Sequence, residues 1–192
     1  MRTGTVERVT NETRVRAAVV LDGRGEAKVS TGIGFLDHML GALSKHSGID
    51  IELECRGDLE IDDHHTAEDC ALVLGAAIDK ALGERAGIVR FGSAYAPLDE
   101  ALARAVVDLS GRPFAVVQLG LTREMLGAIA CENLVHFFAS LAVAMRAAIH
   151  VDVIRGENDH HRAEAAFKAL ALSLRDAVTV RGGGIPSTKG VL

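Results

Sequence analysis

Three things are scarce in this chain, and each scarcity narrows what it does. Positive charge is in deficit: 21 Lys and Arg stand against 26 Asp and Glu, a net charge of -5. No overall field therefore attracts nucleic acid or an acidic membrane, and an anionic ligand needs a local basic pocket. Cysteine is sparse: Cys55, Cys70 and Cys131 are odd in number and show no C-x-x-C spacing. That argues against a disulfide framework and for small buried thiols in a reducing compartment. Long apolar runs are missing: Met1-Arg2-Thr3-Gly4 leads straight into Val6-Glu7-Arg8, and the longest near-apolar stretch, Leu134 to Met145, holds a His and is too short to span a bilayer. A cytoplasmic location is expected. The 192 residues, 48% hydrophobic and 24% charged, have the composition of a folded globular protein and exclude a disordered, collagenous or coiled-coil chain.

What is present in excess is patterned histidine. Of eight His, four form two adjacent pairs, and the pairs belong to a repeat: His64-His65-Thr66-Ala67-Glu68 returns 96 residues later as His160-His161-Arg162-Ala163-Glu164. A lone His precedes each pair, His38 by 26 residues and His136 by 24.

The flanking patterns repeat too. Val15, Ala17, Val19 and Leu21 alternate up to Asp22-Gly23 and are followed by Glu26 to Ser30, which by turn chemistry predicts a hairpin; Leu102 to Leu109, Ser110-Gly111 and Phe114 to Leu119 predict a second. Helix-like segments follow at Phe35 to Ser47 and Asn133 to Arg146, then strands at Ile51 to Cys55 and, with poorer alternation, Ile149 to Val153. Each His pair then opens a long apolar-striped helix, to about Leu82 and Val178, with Gly83 and Gly182 as stops. The order hairpin, helix, strand, helix, taken twice, predicts an α+β fold: an internally duplicated sandwich, each half a small, mostly antiparallel sheet covered by two helices. No Pro- or Ser-rich linker intervenes, so residues 1–192 are expected to form one unit of two fused repeats, about 1–92 and 93–192.

On a helix, Glu68 lies over His64 four back and His65 three back, while the two imidazoles diverge by about 100 degrees. One pair cannot easily clamp one ion, so each His of a pair is expected to serve a different metal, completed by the other half or another subunit. His38, His64, His65, Glu68, His136, His160, His161 and Glu164 supply eight donors, four per ion for two ions. Imidazole and carboxylate without thiolate suit Mn, Fe, Zn, Ni or Co, and four donors on an octahedral ion leave positions open for catalysis.

Basic groups for an anion are Arg90, Arg112 in the turn Ser110-Gly111-Arg112-Pro113, and the tail Gly182 to Gly190 with Ser187, Thr188 and Lys189. The tail resembles a P-loop in composition only, because its Lys follows the hydroxyls. Lys168, four residues after Glu164, projects from the same general helix face as the ligands.

Gly34-Phe35-Leu36-Asp37-His38-Met39, Asp63-His64-His65-Thr66-Ala67-Glu68-Asp69, Ser110-Gly111-Arg112-Pro113, His136-Phe137-Phe138, Asn158-Asp159-His160-His161 and Pro186-Ser187-Thr188-Lys189-Gly190 together closely resemble the imidazoleglycerol-phosphate dehydratases of histidine biosynthesis. The resemblance runs in order from about Val6 to the C-terminus. It implies a 24-subunit octahedral shell, active sites at subunit boundaries, and two Mn(II) ions per site held by the eight donors named above. It further implies Arg90, Arg112, Lys168, Ser187, Thr188 and Lys189 around the substrate phosphate, and Glu12 and His46 as substrate contacts. Glu12 is the acid/base suggested by the resemblance, with Glu68 and Glu164 sharing proton duties if they change coordination. Some relatives carry a fused phosphatase; the chain has no room for one, so dehydration alone is expected.

The reaction so implied breaks a C–H bond with no neighbouring carbonyl to acidify it. The ring must help: metal on one ring nitrogen acidifies the other N–H, and a metal-stabilised imidazolate can expel the hydroxyl. Two other readings use the same residues. A dinuclear metal-dependent phosphate-ester hydrolase fits two ions and a basic pocket but lacks an obvious bridging Asp; a non-catalytic shell would use metal only for assembly or storage.

Overall fold

The computed structural model describes residues 1–190, which form ten strands and four helices. The first half runs β1 (Thr3–Val9), β2 (Thr13–Val20), β3 (Ala27–Ser30), α1 (Gly34–Ser47), β4 (Asp50–Gly57), α2 (His64–Leu82). The second runs β5 (Phe91–Leu98), β6 (Ala101–Asp108), β7 (Phe114–Gln118), a short hairpin of β8 (Met125–Leu126) and β9 (Ile129–Ala130), then α3 (Cys131–Met145), β10 (Ala148–Arg155) and α4 (Asp159–Val178). The two large sheets have matching orders, β1-β2-β4-β3 and β5-β6-β10-β7, each with two antiparallel pairings and one parallel. This is the α+β, mostly antiparallel, two-half architecture expected from the sequence.

Strand alternation decides which face is buried. Val15, Ala17 and Val19 of β2 and Ile51, Leu53 and Cys55 of β4 point inward, while Arg14, Arg16, Glu52 and Glu54 point to solvent. Helices α1 and α2 cover the first inner face, and α3 and α4 cover the second. The helices also pack across the halves, α1 on α4 and α2 on α3, so the sheets lie outside and the helices meet between them. Buried Arg85 ties the second pair together, donating to the Arg146 and Met145 carbonyls at 3.0 and 2.8 Å and to Asp79. The three cysteines are buried and free.

Two expected hairpins are not hairpins. β2 does not pair with β3: β4 lies between them, antiparallel to β2 and parallel to β3. The Asp50 carboxylate explains the detour, because it accepts the Arg24 and Glu26 N–H groups at 2.7 and 2.9 Å and carries the chain across the end of β4 to its far side. β6 and β7 likewise flank β10, with Phe114 N–H bonded to the Ala147 carbonyl at 3.1 Å. In the two large sheets the hairpins are β1–β2 and β5–β6, whose first strands carry little apolar signal. Each needs a glycine where a helix lies against it: a Cβ on Gly4 would strike the Ala77 carbonyl of α2, and one on Gly92 the Ser173 carbonyl of α4. The poor alternation in β10 reflects a bulge between Val153 and Arg155. Gly182 is not the stop of α4; that helix ends at Val178, and Val180 pairs with Ile88 before the glycines begin.

Candidate active site

The site is built where α2 and α4 begin. The Asn158 side chain caps α4 by accepting the His160 N–H at 2.9 Å, and Asp62 accepts the His64 N–H at 2.8 Å. Asp63 and Asp159 anchor the same helix starts to the loops before α3, accepting from Ala130 and from Thr122 and Arg123. Both His pairs are thereby fixed at rigid helix N-termini.

Two clusters result. In one, Glu164 Oε2 lies 3.1 Å from His38 Nε2 and 3.2 Å from His160 Nε2. In the other, Glu68 Oε1 lies 3.0 Å from His136 Nε2, and the His64 and His136 rings stack with centroids 4.7 Å apart. Within each set the potential ligand atoms all lie within 4.8 Å of one another. Each cluster joins the lone His of one half to the i, i+4 His and Glu of the other, which follows from the packing of α1 on α4 and α2 on α3.

His65 and His161 are left out of both clusters. Their rings stand at 81° and 86° to those of His64 and His160, so each points elsewhere. Asp58 oxygens lie 3.2 Å from His65 Nδ1, with Glu12 3.7 Å from its Nε2. Glu100 lies 2.7 Å from His161 Nδ1, with Asp99 3.8 Å from its Nε2. Those carboxylates hold both imidazoles above their ordinary pKa, against the opposing pull of desolvation.

The donors fit a divalent transition ion. Three nitrogen or carboxylate-oxygen donors per cluster suit borderline-to-hard cations and leave half of an octahedron free. Glu164 is held as a carboxylate: burial pushes its pKa up, but Lys168 at 2.7 Å and the His38 and His160 contacts outweigh burial and bring it down to about 2. His46 sits farther along α1, its pKa lowered by burial and by Lys168.

The remaining basic groups lie elsewhere in the chain. Arg90 pairs with Asp108 at 2.7 Å and donates to the Pro186 carbonyl at 2.8 Å, which brings the Ser187 to Lys189 tail beside it. Arg112 is exposed in the nearby β6–β7 turn. The backbone N–H of Arg90 bonds the Ala177 carbonyl of α4, 13 residues and about 20 Å along the helix from Glu164. Within one chain, then, Lys168 accompanies a cluster, whereas Arg90 and the tail do not. Asp58, Glu100, Asp108 and Asn133, whose Oδ1 lies 2.8 Å from His64 Nδ1, carry no local sequence signal; Glu100 precedes its His partner by 61 residues.

The family model for imidazoleglycerol-phosphate dehydratase matches residues 31–174, a span holding both clusters. The chain belongs to the imidazoleglycerol-phosphate dehydratase family. An imidazoleglycerol-phosphate dehydratase of Chlorobium luteolum is 56% identical over 100% of this chain and 96% of its own. One from Phytophthora nicotianae is 59% identical over 100% of this chain, which spans 43% of that longer relative. Solved dehydratase structures from Staphylococcus aureus and Pyrococcus furiosus superpose with TM-scores of 0.83 and 0.84 at 35% and 36% identity; they cover 93% and 97% of this chain and 99% and 100% of theirs. The family read from the motifs, and the dehydratase class of enzyme it carries, therefore stand. Among the described residues no helix is long and apolar enough to cross a membrane.

Proposed function

We propose that this chain removes water from imidazoleglycerol phosphate to give imidazoleacetol phosphate in histidine biosynthesis, using two Mn(II) ions per active site; the same donors admit other divalent transition metals. The observation that carries the reading is the double cluster in a member of this family, His38, His160 and Glu164 in one and His64, Glu68 and His136 in the other. His65 and His161, directed away from both, complete the ligand sets of other copies. Active sites then lie at subunit boundaries of a homo-oligomer, of 24 subunits by the family resemblance. The ions, when bound, supply Lewis-acid polarisation of the imidazole ring and the departing hydroxyl.

The chain's own groups supply position and protons. Lys168, Arg90, Arg112, Ser187, Thr188 and Lys189 hold the phosphate, drawn from more than one copy, because Arg90 and the tail lie far from the clusters of their own chain. His46 lines the substrate near Lys168. Glu12, half-exposed beside His65 Nε2, moves the proton at the carbon to be deprotonated. Fixing the phosphate makes that transfer intramolecular.

The test is to strip metal with a chelator, restore Mn(II), and follow imidazoleacetol phosphate. Dehydration lost on stripping and regained with Mn(II) is expected. Full dehydration without metal overturns the metal assignment, and release of inorganic phosphate instead of dehydration makes the chain a phosphate-ester hydrolase.

A further inference from the structure

The two hairpins that open the halves are equivalent residue for residue at an offset of 88. Val9 pairs with Arg14 and Pro97 with Leu102, Gly4 with Val19 and Gly92 with Val107. By that offset, Glu100 in the β5–β6 turn is the counterpart of Glu12 in the β1–β2 turn. The two glutamates are not doing the same thing. Among the described residues Glu12 has no side-chain hydrogen-bond partner, and it lies 3.7 Å from His65 Nε2. Glu100 is fully engaged: one oxygen accepts the Glu157 and Asn158 N–H groups at 3.0 and 2.8 Å, and the other meets His161 Nδ1 at 2.7 Å.

In the first half the Nδ1 partner is Asp58, which follows β4 directly. By the strand registers Gly57 corresponds to Gly156, so the matching position after β10 is Glu157, which uses its backbone N–H toward Glu100 rather than its carboxylate toward His161. One task, holding the Nδ1 of the outward-facing His, is thus done from two unrelated positions. An ionised carboxylate only accepts, so Nδ1 must carry the hydrogen, and in the neutral ring the Nε2 lone pair is left bare.

We propose that Asp58 and Glu100 are positioning residues that fix His65 and His161 as Nδ1–H tautomers with Nε2 presented to a divalent ion, and that Asp58, by taking this task in the first half, leaves Glu12 alone of the equivalent pair free for proton transfer. The proposal rests on the reading that His65 and His161 ligate metal in other copies. A carboxylate behind the ring also makes Nε2 a stronger donor than a neutral amide would.

The decisive variant is Glu100→Gln in the full chain. Its amide oxygen still accepts from Glu157 and Asn158, so the loop before α4 is kept, but its NH₂ faces Nδ1 and drives the ring proton to Nε2. Solid-state NMR of ¹⁵N-histidine-labelled, metal-free protein reads the tautomer, and EPR of free Mn(II) reads affinity. Expected are one histidine switched to the Nε2–H form, Mn(II) binding about 10- to 100-fold weaker, and an unchanged circular dichroism spectrum. Asp58→Asn should do the same at His65, with Glu12 intact.

Glu100→Gln with parental tautomer and parental Mn(II) affinity overturns the proposal. His161→Ala separates the two levels. If it loses Mn(II) while Glu100→Gln does not, the positioning role fails and the ligand reading survives; if it binds Mn(II) as the parent does, the ligand reading fails and takes the proposal with it.

Discussion

Glu12 is where a single charge is asked to do chemistry without holding structure. Its side chain is 54% exposed and, among the described residues, makes no hydrogen bond, so Glu12→Gln is expected to keep the fold and the metal content and to lower turnover by about 10²- to 10⁴-fold, the range for a lost general acid or base. Steady-state rates alongside metal analysis check this, and unchanged turnover removes Glu12 from the mechanism. Residues differed in how legible they were. The His pairs and their glutamates announced themselves because a duplicated pattern at a fixed spacing is visible in one dimension. Glu12 could be reached only through the family resemblance, and Asp58 and Glu100 not at all. A carboxylate that orients a ring across 61 residues leaves no periodic trace.

At the scale of elements, the helices were legible because each buries a stripe at helical spacing, such as Leu36, Met39, Leu40 and Leu43 of α1. Strands β1 and β5 were not, because the close approach of a helix puts Gly4 in one and Gly92, Ala94 and Ala96 in the other, leaving β1 only Val6 as an inward apolar side chain and erasing the alternation that marks a strand. The pairing of β3 and β7 on the far side of β4 and β10 was hidden for another reason: a turn motif reports a change of direction, not the neighbour reached afterwards. The close approach that hides β5 also makes it sensitive. Gly92→Ala places a methyl against the Ser173 carbonyl of α4, backbone against backbone, with no flexible side chain to yield. It is expected to destabilise the chain by about 1–3 kcal/mol and to lower the thermal midpoint of the metal-free protein. Gly34→Ala, where a Cβ meets nothing within 4 Å, is the control. Equal midpoints for the two variants would mean that β5 does not bear on α4 as described.

The whole molecule ties its two halves together through the same residues that would bind metal. Each cluster takes donors from both repeats, His38 with His160 and Glu164, His136 with His64 and Glu68, so neither half is complete alone. His65 and His161 extend that dependence outward, and on the proposed reading each ion is a tie between copies as well as a catalyst. Replacing a ligand in one cluster should therefore have two consequences that a merely catalytic residue would not. His160→Ala removes one of the cluster's three donors and leaves Glu164 still neutralised by Lys168 at 2.7 Å, so the helix start has no reason to unfold. Metal content is expected to fall toward half, since the His64, Glu68 and His136 cluster is untouched, and His64→Ala should produce the mirror loss. If the ions hold copies together, native mass spectrometry will show each variant as smaller species than the parent at equal protein and Mn(II) concentration. If half the metal is lost and the assembly keeps its parental mass, the copies are held by protein surfaces and the ions serve chemistry alone. The exposed Phe91, Tyr95 and Phe114 on the outer face of the second sheet, where the first sheet displays Arg14, Arg16 and Glu52, would then be the surface to mutate next.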